Sequence, residues 1–306
     1  MIDRVCFYIA RTTANEAVFS NVSGLLEHKV TSIGEGCRLI YERGELNGLS
    51  ITISEHRLTI RGSLTRFYTG SNVFGLRFSD IQDALQSLLS LLRIEATEAT
   101  ITEIEIGNAF YMDQEPKDYT KVLADVGYLA RFRKEKVLTT LYYKQKAQLR
   151  ALIFYDKLQE MESRKEVPPA GLQNLLRYEM TLRRSSLKKY LPTRTLKDLQ
   201  DRAVFRGLLE LWRNYFETIY KNATASATGR KGKTNLLLRF IYSLQIAGKT
   251  DSNELLGFVS ENTRGSSNGY RLRKEIADFY TANGRGEIGL LSELRSRINE
   301  VLLNNC

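Results

Sequence analysis

Residues 175–183 read LLRYEMTLR, and the alternation in that stretch decides the fold. In an extended strand, side chains at i and i+2 share a face. Leu176, Tyr178, Met180 and Leu182 therefore form an apolar side, with Arg177, Glu179, Thr181 and Arg183 opposite. One face for a core and one of charge is the pattern of a strand in an antiparallel sheet. Upstream, LRALIFYDK (149–157) places Tyr155 and Lys157 on one face and Phe154 on the other. In ITEIEIG (101–107), Glu103 and Glu105 oppose Ile104 and Ile106.

Further strands are predicted at 4–10, 37–43, 49–55, 57–63 and 137–143, each short, rich in β-branched or aromatic residues and bounded by turns. SDIQDALQSLLSLL (79–92) predicts a helix, with Ser79 and Gln82 at capping-box spacing and Ile81, Leu85, Leu88 and Leu92 on one face. A short helix is expected over 119–129, and Pro168 and Pro169 mark a break. From Thr195 the period is helical, with Trp212 in a long amphipathic stretch and on its core side. ATASATGRKGKT (223–234) reads as a linker, followed by helices near 235–247, 252–262, 268–282 and 288–304. The expected architecture is α+β: an antiparallel sheet with flanking helices over 1–222, then an all-α domain over 235–306.

The 306 residues are 42% hydrophobic and 26% charged, ordinary values for a globular protein. No run approaches the roughly 18 apolar residues of a membrane span, and the strand pattern begins at the first residue, which predicts a cytoplasmic protein without a membrane partner. Cys6, Cys37 and Cys306 are too scattered for a disulfide framework or a zinc site, and His28 and His56 too few for a histidine metal site. The 45 Lys and Arg against 35 Asp and Glu leave a formal charge of +10, which favours a polyanionic partner.

If the strands bearing Glu105, Tyr155 and Glu179 are neighbours, their polar faces gather carboxylates, a tyrosine and a lysine. Carboxylate oxygens suit a hard cation such as Mg²⁺ or Mn²⁺, which polarises a phosphate. A phenol is a weak nucleophile near its ordinary pKa of about 10, so a cation beside Tyr155 must favour the phenolate. Lys157 fits that role, or that of stabilising a pentacovalent phosphate. A solvent-facing charged sheet surface is the alternative reading of the same residues.

Taken in order, the opening MID, GSNVFG (70–75) before the amphipathic helix, ITEIEIGNAF, LRALIFYDK and LLRYEMTLRR resemble the replication-initiator endonucleases of filamentous phages. They are more distantly similar to the rolling-circle initiators of small Gram-positive plasmids. The likeness spans roughly residues 1 to 190. It implies that Tyr155 attacks a phosphodiester and stays joined to the DNA 5′-phosphate, leaving a 3′-OH to prime synthesis. Glu105 and Glu179 then match the metal-binding carboxylates. Glu105 stands where the family has Asp, and Glu103 where it has Arg, which makes Glu103 a third candidate ligand. Implied partners are double-stranded origin DNA, single-stranded DNA, a host helicase and the replisome. A protein that binds DNA for replication or regulation without cutting it is the alternative.

Backbone contacts to DNA are expected from Arg177, Arg183, Arg184 and Lys188, and from Arg131 and Arg133 in RFRKEK (131–136). A helix opening near Asn268 would present Arg271, Arg273 and Lys274 as a recognition helix, with a solvated face as the alternative. ATGRKGKT (227–234) is a relaxed phosphate-loop pattern, but no buried strand precedes it, so contact with phosphates through a basic linker is the better reading. Competing nucleophiles are Tyr142, Tyr143 and Tyr178. Alternation sets Tyr178 on the apolar side, while the register of 137–143 leaves Tyr143 open.

Overall fold

The computed structural model describes residues 1–33, 39–126, 129–134, 137–145, 149–228 and 284–305. Among these, ten strands make one antiparallel sheet: β1 (Ile2–Ala10), β2 (Glu27–Ile33), β3 (Leu39–Leu46), β4 (Leu49–Ser54), β5 (Arg57–Ser63), β6 (Ala99–Tyr111), β7 (Ala130–Lys134), β8 (Val137–Lys144), β9 (Arg150–Asp156) and β10 (Leu175–Arg183). Their order is β2-β3-β4-β5-β1-β6-β10-β9-β8-β7, so β6 and β10 are central and the two long meanders run outward from β1 and β10. The helices are α1 (Glu16–Leu25), α2 (Leu64–Thr69), α3 (Phe78–Leu92), α4 (Pro116–Val122), α5 (Lys157–Ser163), α6 (Arg202–Thr228) and α7 (Gly284–Leu303).

Local chemistry accounts for the element ends. Asn47 and Gly48 both take positive φ, 48° and 76°, the pair a two-residue type I′ hairpin requires between β3 and β4. At the start of α3, the Arg77 N–H donates to Asp80 Oδ2 at 2.9 Å, so Asp80 closes the helix end in place of the expected Ser79 and Gln82 pair. Ile81, Leu85, Leu88 and Leu92 are buried as their spacing requires. Pro116 opens α4, where a missing N–H costs nothing, and the helix expected over 119–129 is this one, shifted toward the N-terminus.

The sheet's apolar face carries the core. Phe154 stacks on Tyr178 at 4.3 Å between ring centroids, and Tyr178 stacks on Trp212 of α6 at 4.9 Å. The Tyr178 hydroxyl donates to the Trp212 carbonyl at 3.0 Å, which satisfies its one polar atom inside that core. The opposite face stays open except where α5 and the 70–75 loop cross it. There Val73, Ala109, Met161 and Leu175 form a second, small apolar cluster.

Alternation fails at two bulges between β1 and β6, one of them inside the expected 99–110 strand. Cys6 pairs with Glu103 but Phe7 pairs with Ile101, so Thr102 is an extra residue and Ile101 turns to the core with Ile104. Elements α1, β2, α2 and β7 are additional to the sequence expectation. The long helix α6 runs through Thr228, so residues 223–228 of the expected linker are helical. The rest of the linker, the helices expected at 235–247, 252–262 and 268–282, and Arg271, Arg273 and Lys274 lie outside the described residues. The helix expected at 288–304 is α7, which packs against α6 and α4.

Candidate active site

Three carboxylates meet on the open face at the centre of the sheet. Glu105 comes from β6, Glu179 from β10 and Asp3 from β1, and one oxygen from each lies within 4.8 Å of the others. Alternation with Val5, Phe7 and Ile9 would send Asp3 into the core. A bulge prevents this: Ile2 pairs with Ile106 and Arg4 with Glu105, leaving Asp3 as the extra residue, re-aimed to the open face. That bulge is why strand alternation missed Asp3. Gly107 lies opposite Glu179, and a Cβ there would sit 2.7 Å from Glu179 Cγ, so only glycine leaves the carboxylate its place.

Glu103 is not part of the trio. It accepts from Arg61 Nη2 at 3.1 Å and from Arg183 Nε at 2.5 Å, forming a separate ion-paired ladder along the open face. The third carboxylate is Asp3 in its stead.

Arg177 is 1% exposed, and so is a scaffold cation and not a DNA contact. Its Nε donates to Glu179 Oε1 at 2.7 Å and its Nη2 to Asp3 Oδ2. Its Nη1 donates to the carbonyls of Asn72 at 2.7 Å and Val73 at 3.2 Å, which pins the GSNVFG loop over the site.

Lys157 does not project from β9 either. Asp156 accepts from the N–H groups of Leu158 and Gln159, caps α5 and ends the strand, so Lys157 begins the helix. Fully buried, its ammonium donates to Asn72 Oδ1 at 3.1 Å and Glu160 Oε2 at 2.8 Å, a second tie on the same loop.

Tyr155 is half-buried at the edge of the trio, its hydroxyl donating to Glu179 Oε1 at 2.8 Å. Burial, then the Glu179 charge, holds its pKa well above 10, so the phenol keeps its proton at neutral pH. Burial pushes Asp3 up, but the Arg177 guanidinium and the Ser63 hydroxyl hold it below the ordinary carboxylate value. Glu105 differs: burial and the neighbouring Glu179 raise it to about 8, against the weaker pull of Arg4, whose guanidinium stands 3.9 Å away.

Burial comes first, and the like charges of Glu179 and Asp3 add to it, together outweighing the attraction of Arg4 and Arg177. Hard, all-oxygen donors that crowd like charge fit a divalent cation such as Mg²⁺ or Mn²⁺. The trio and Tyr155 line a cleft of about 510 Å³, open to solvent.

Of the competing tyrosines, Tyr178 and Tyr143 are buried in the core, Tyr143 donating to the Ala124 carbonyl at 2.8 Å. Tyr142 shares the open face and lines the cleft. Among the expected DNA contacts, Arg184 and Lys188 are exposed on the turn after β10. Arg131 is exposed near Asp125 at 3.6 Å, while Arg133 donates to the Thr120 carbonyl at 2.6 Å. Among the described residues no helix is long and apolar enough to cross a membrane.

The sequence profile of a phage protein family, described as the N-terminal part of a replication-associated protein, matches residues 1–201. No curated protein matches. Among solved structures, a rolling circle replication initiator protein from Geobacillus stearothermophilus is similar at 12% identity and a TM-score of 0.40, covering 69% of this chain and 83% of that one.

Proposed function

The chain belongs to this family of phage replication-associated proteins, and from that premise we propose that it nicks and rejoins one DNA strand at a replication origin through Tyr155, with a divalent metal. The observation that carries this reading is the Tyr155 hydroxyl, hydrogen-bonded to Glu179 beside three converging carboxylates. A sheet surface with no chemistry has no reason to collect like charges in a cleft.

Asp3, Glu105 and Glu179 would hold the cation. Bound there, Mg²⁺ or Mn²⁺ would neutralise charge growing on the scissile phosphate. The residues do the rest. Glu179 fixes the phenol oxygen and is the nearest acceptor for its proton. The phenol oxygen bonds to phosphorus, the bond from phosphorus to the 3′ oxygen breaks, and that oxygen leaves as a 3′-OH once protonated. Rejoining is the reverse, a 3′-OH attacking the tyrosyl phosphodiester. Arg177 holds Asp3 and Glu179 in register with each other and with the loop above them. Exposed Arg184, Lys188 and Arg131 suit backbone phosphates, and the basic tail bearing Arg271, Arg273 and Lys274 is assigned duplex recognition.

The test is incubation of the purified protein with supercoiled DNA of its own replicon and Mg²⁺. Open circles carrying protein on a 5′ end are expected, lost on adding a chelator and absent for Tyr155→Phe, which keeps ring and packing. Peptide mapping should find the adduct on the peptide containing ALIFYDK. An adduct on Tyr142 would overturn the residue assignment, and binding without cleavage would leave the non-cutting DNA-binding reading.

A further inference from the structure

On the outer side of the cleft, the edge hairpin presents an aromatic pair to which the nicking chemistry assigns no task. Phe132 of β7 pairs with Tyr142 of β8, their rings stacked at 5.2 Å and 11°. The Lys144 ammonium sits 5.4 Å from the Phe132 ring and 5.1 Å from that of Tyr142. Tyr142 lies opposite Ile153, two residues before Tyr155 on β9, so it shares the open face with the tyrosine nucleophile. Phe132 is one strand further out and 37% exposed.

The pair stands outside the hydrophobic core. On the other face of the same strands, Tyr143 and Phe154 are fully buried against each other at 6.2 Å, which is what a core aromatic does here. Flat rings reaching the surface, Phe132 exposed and Tyr142 half-buried, with a cation over them, match the stacking platforms on which unpaired bases rest. Every base offers a π face, and its phosphate is complementary to an ammonium at the platform's rim. A strand running from the carboxylate cleft toward β7 must cross these rings.

We propose that Phe132 and Tyr142 form a base-stacking platform that holds an unpaired nucleobase of the single strand next to the Tyr155 cleft. This rests on the nicking reading and adds to it how the substrate is positioned: the strand lies across β9, β8 and β7, melted, one base on the platform. Lys144 takes the adjoining phosphate.

The experiment titrates full-length protein with an oligothymidylate of about 20 nucleotides carrying one fluorescent purine analogue, at several salt concentrations. Stacking on the rings quenches the analogue. Phe132→Ala and Tyr142→Ala should each weaken binding about tenfold and abolish the quench, because base stacking on an aromatic side chain is of that size. The slope of log affinity against log salt should stay as in the wild type, since no phosphate contact is lost. Phe132→Trp should restore both signals. Three results would overturn the platform: binding without quench in the wild type, alanine variants with lowered melting temperature but unchanged affinity and quench, or an affinity loss matched by a smaller salt slope. Nicking of supercoiled DNA by the same wild-type preparation is read separately, so failure of the enzyme reading does not pass for failure of the platform.

Discussion

Arg177 shows how one buried charge organises the site. With its side chain 1% exposed, every direction of its guanidinium is spent on the protein: Glu179, Asp3 and the two carbonyls of the 70–75 loop. Removing one partner of a buried ion pair costs roughly 3–5 kcal/mol, because the other charge is left unpaired. Here two carboxylates would be orphaned together. Arg177→Ala is therefore expected to lower the melting temperature by many degrees, and added Mg²⁺ to recover part of the loss by replacing the missing positive charge. A thermal melt with and without Mg²⁺ reads both effects. A variant that melts like the wild type but binds DNA weakly would return Arg177 to the DNA contacts that strand alternation alone suggested. Alternation names the face a side chain takes; it cannot show that a distant loop closes over that face, so Arg177 was legible as a polar-face residue but not as a buried one, nor that the strand stops at Asp156 and leaves Lys157 to a helix.

Among the elements, the β6–β10 pair determines what the open face can hold. Glu179 stands opposite Gly107, and the missing side chain is the space its carboxylate occupies. Gly107→Ala would bring a methyl to 2.7 Å of Glu179 Cγ and 3.0 Å of the Tyr178 carbonyl, so Glu179 has to move. Displacing a positioned group by about 1 Å can cost on the order of 100-fold in rate. The expected result is a folded protein with far-ultraviolet circular dichroism like the wild type, unchanged duplex binding and nicking lowered by about that factor; undiminished nicking would remove Glu179 from the chemistry. Strand alternation read β6, β9 and β10 correctly from residues such as Ile104, Phe154 and Tyr178, since a two-residue period survives wherever pairing is regular. It failed at the two bulges. One hid Asp3 and the other turned Ile101 inward, and both depend on the partner strand's register, which β1 and β6 do not carry in their own residues. That Glu103 stands apart from the trio was hidden for a related reason: its guanidinium partners come from β5 and β10, far away in the chain.

The last helix ties α6 to α4. Leu291, Leu294 and Ile298 of α7 are at most 1% exposed against α6 and α4. Polar bonds reinforce the seat: Glu293 Oε1 accepts from the Asp113 N–H at 3.0 Å, its other oxygen accepts from the Tyr119 hydroxyl, and Arg295 Nε donates to Glu217 Oε1 at 2.7 Å. In turn α4 packs on β8 and β9, the strands that carry Tyr142 and Tyr155. A change in α7 should therefore reach the cleft through α4, without touching DNA. Leu294→Ala is expected to cost about 2–5 kcal/mol, the range for emptying a buried leucine site. For a body of this size that is a fall of roughly 2–4 °C per kcal/mol in melting temperature. Nicking should decline with temperature earlier than in the wild type, while the salt dependence of duplex binding stays unchanged, since no cation has been removed. Truncation after Thr228 removes α7 altogether and should lower the melting temperature further, while also losing whatever duplex affinity the basic tail supplies. The pair of variants separates the two roles: if the truncated chain melts as the full chain does and Leu294→Ala is silent, α7 contributes nothing to the catalytic body, and any effect of truncation on origin binding belongs to DNA contact alone.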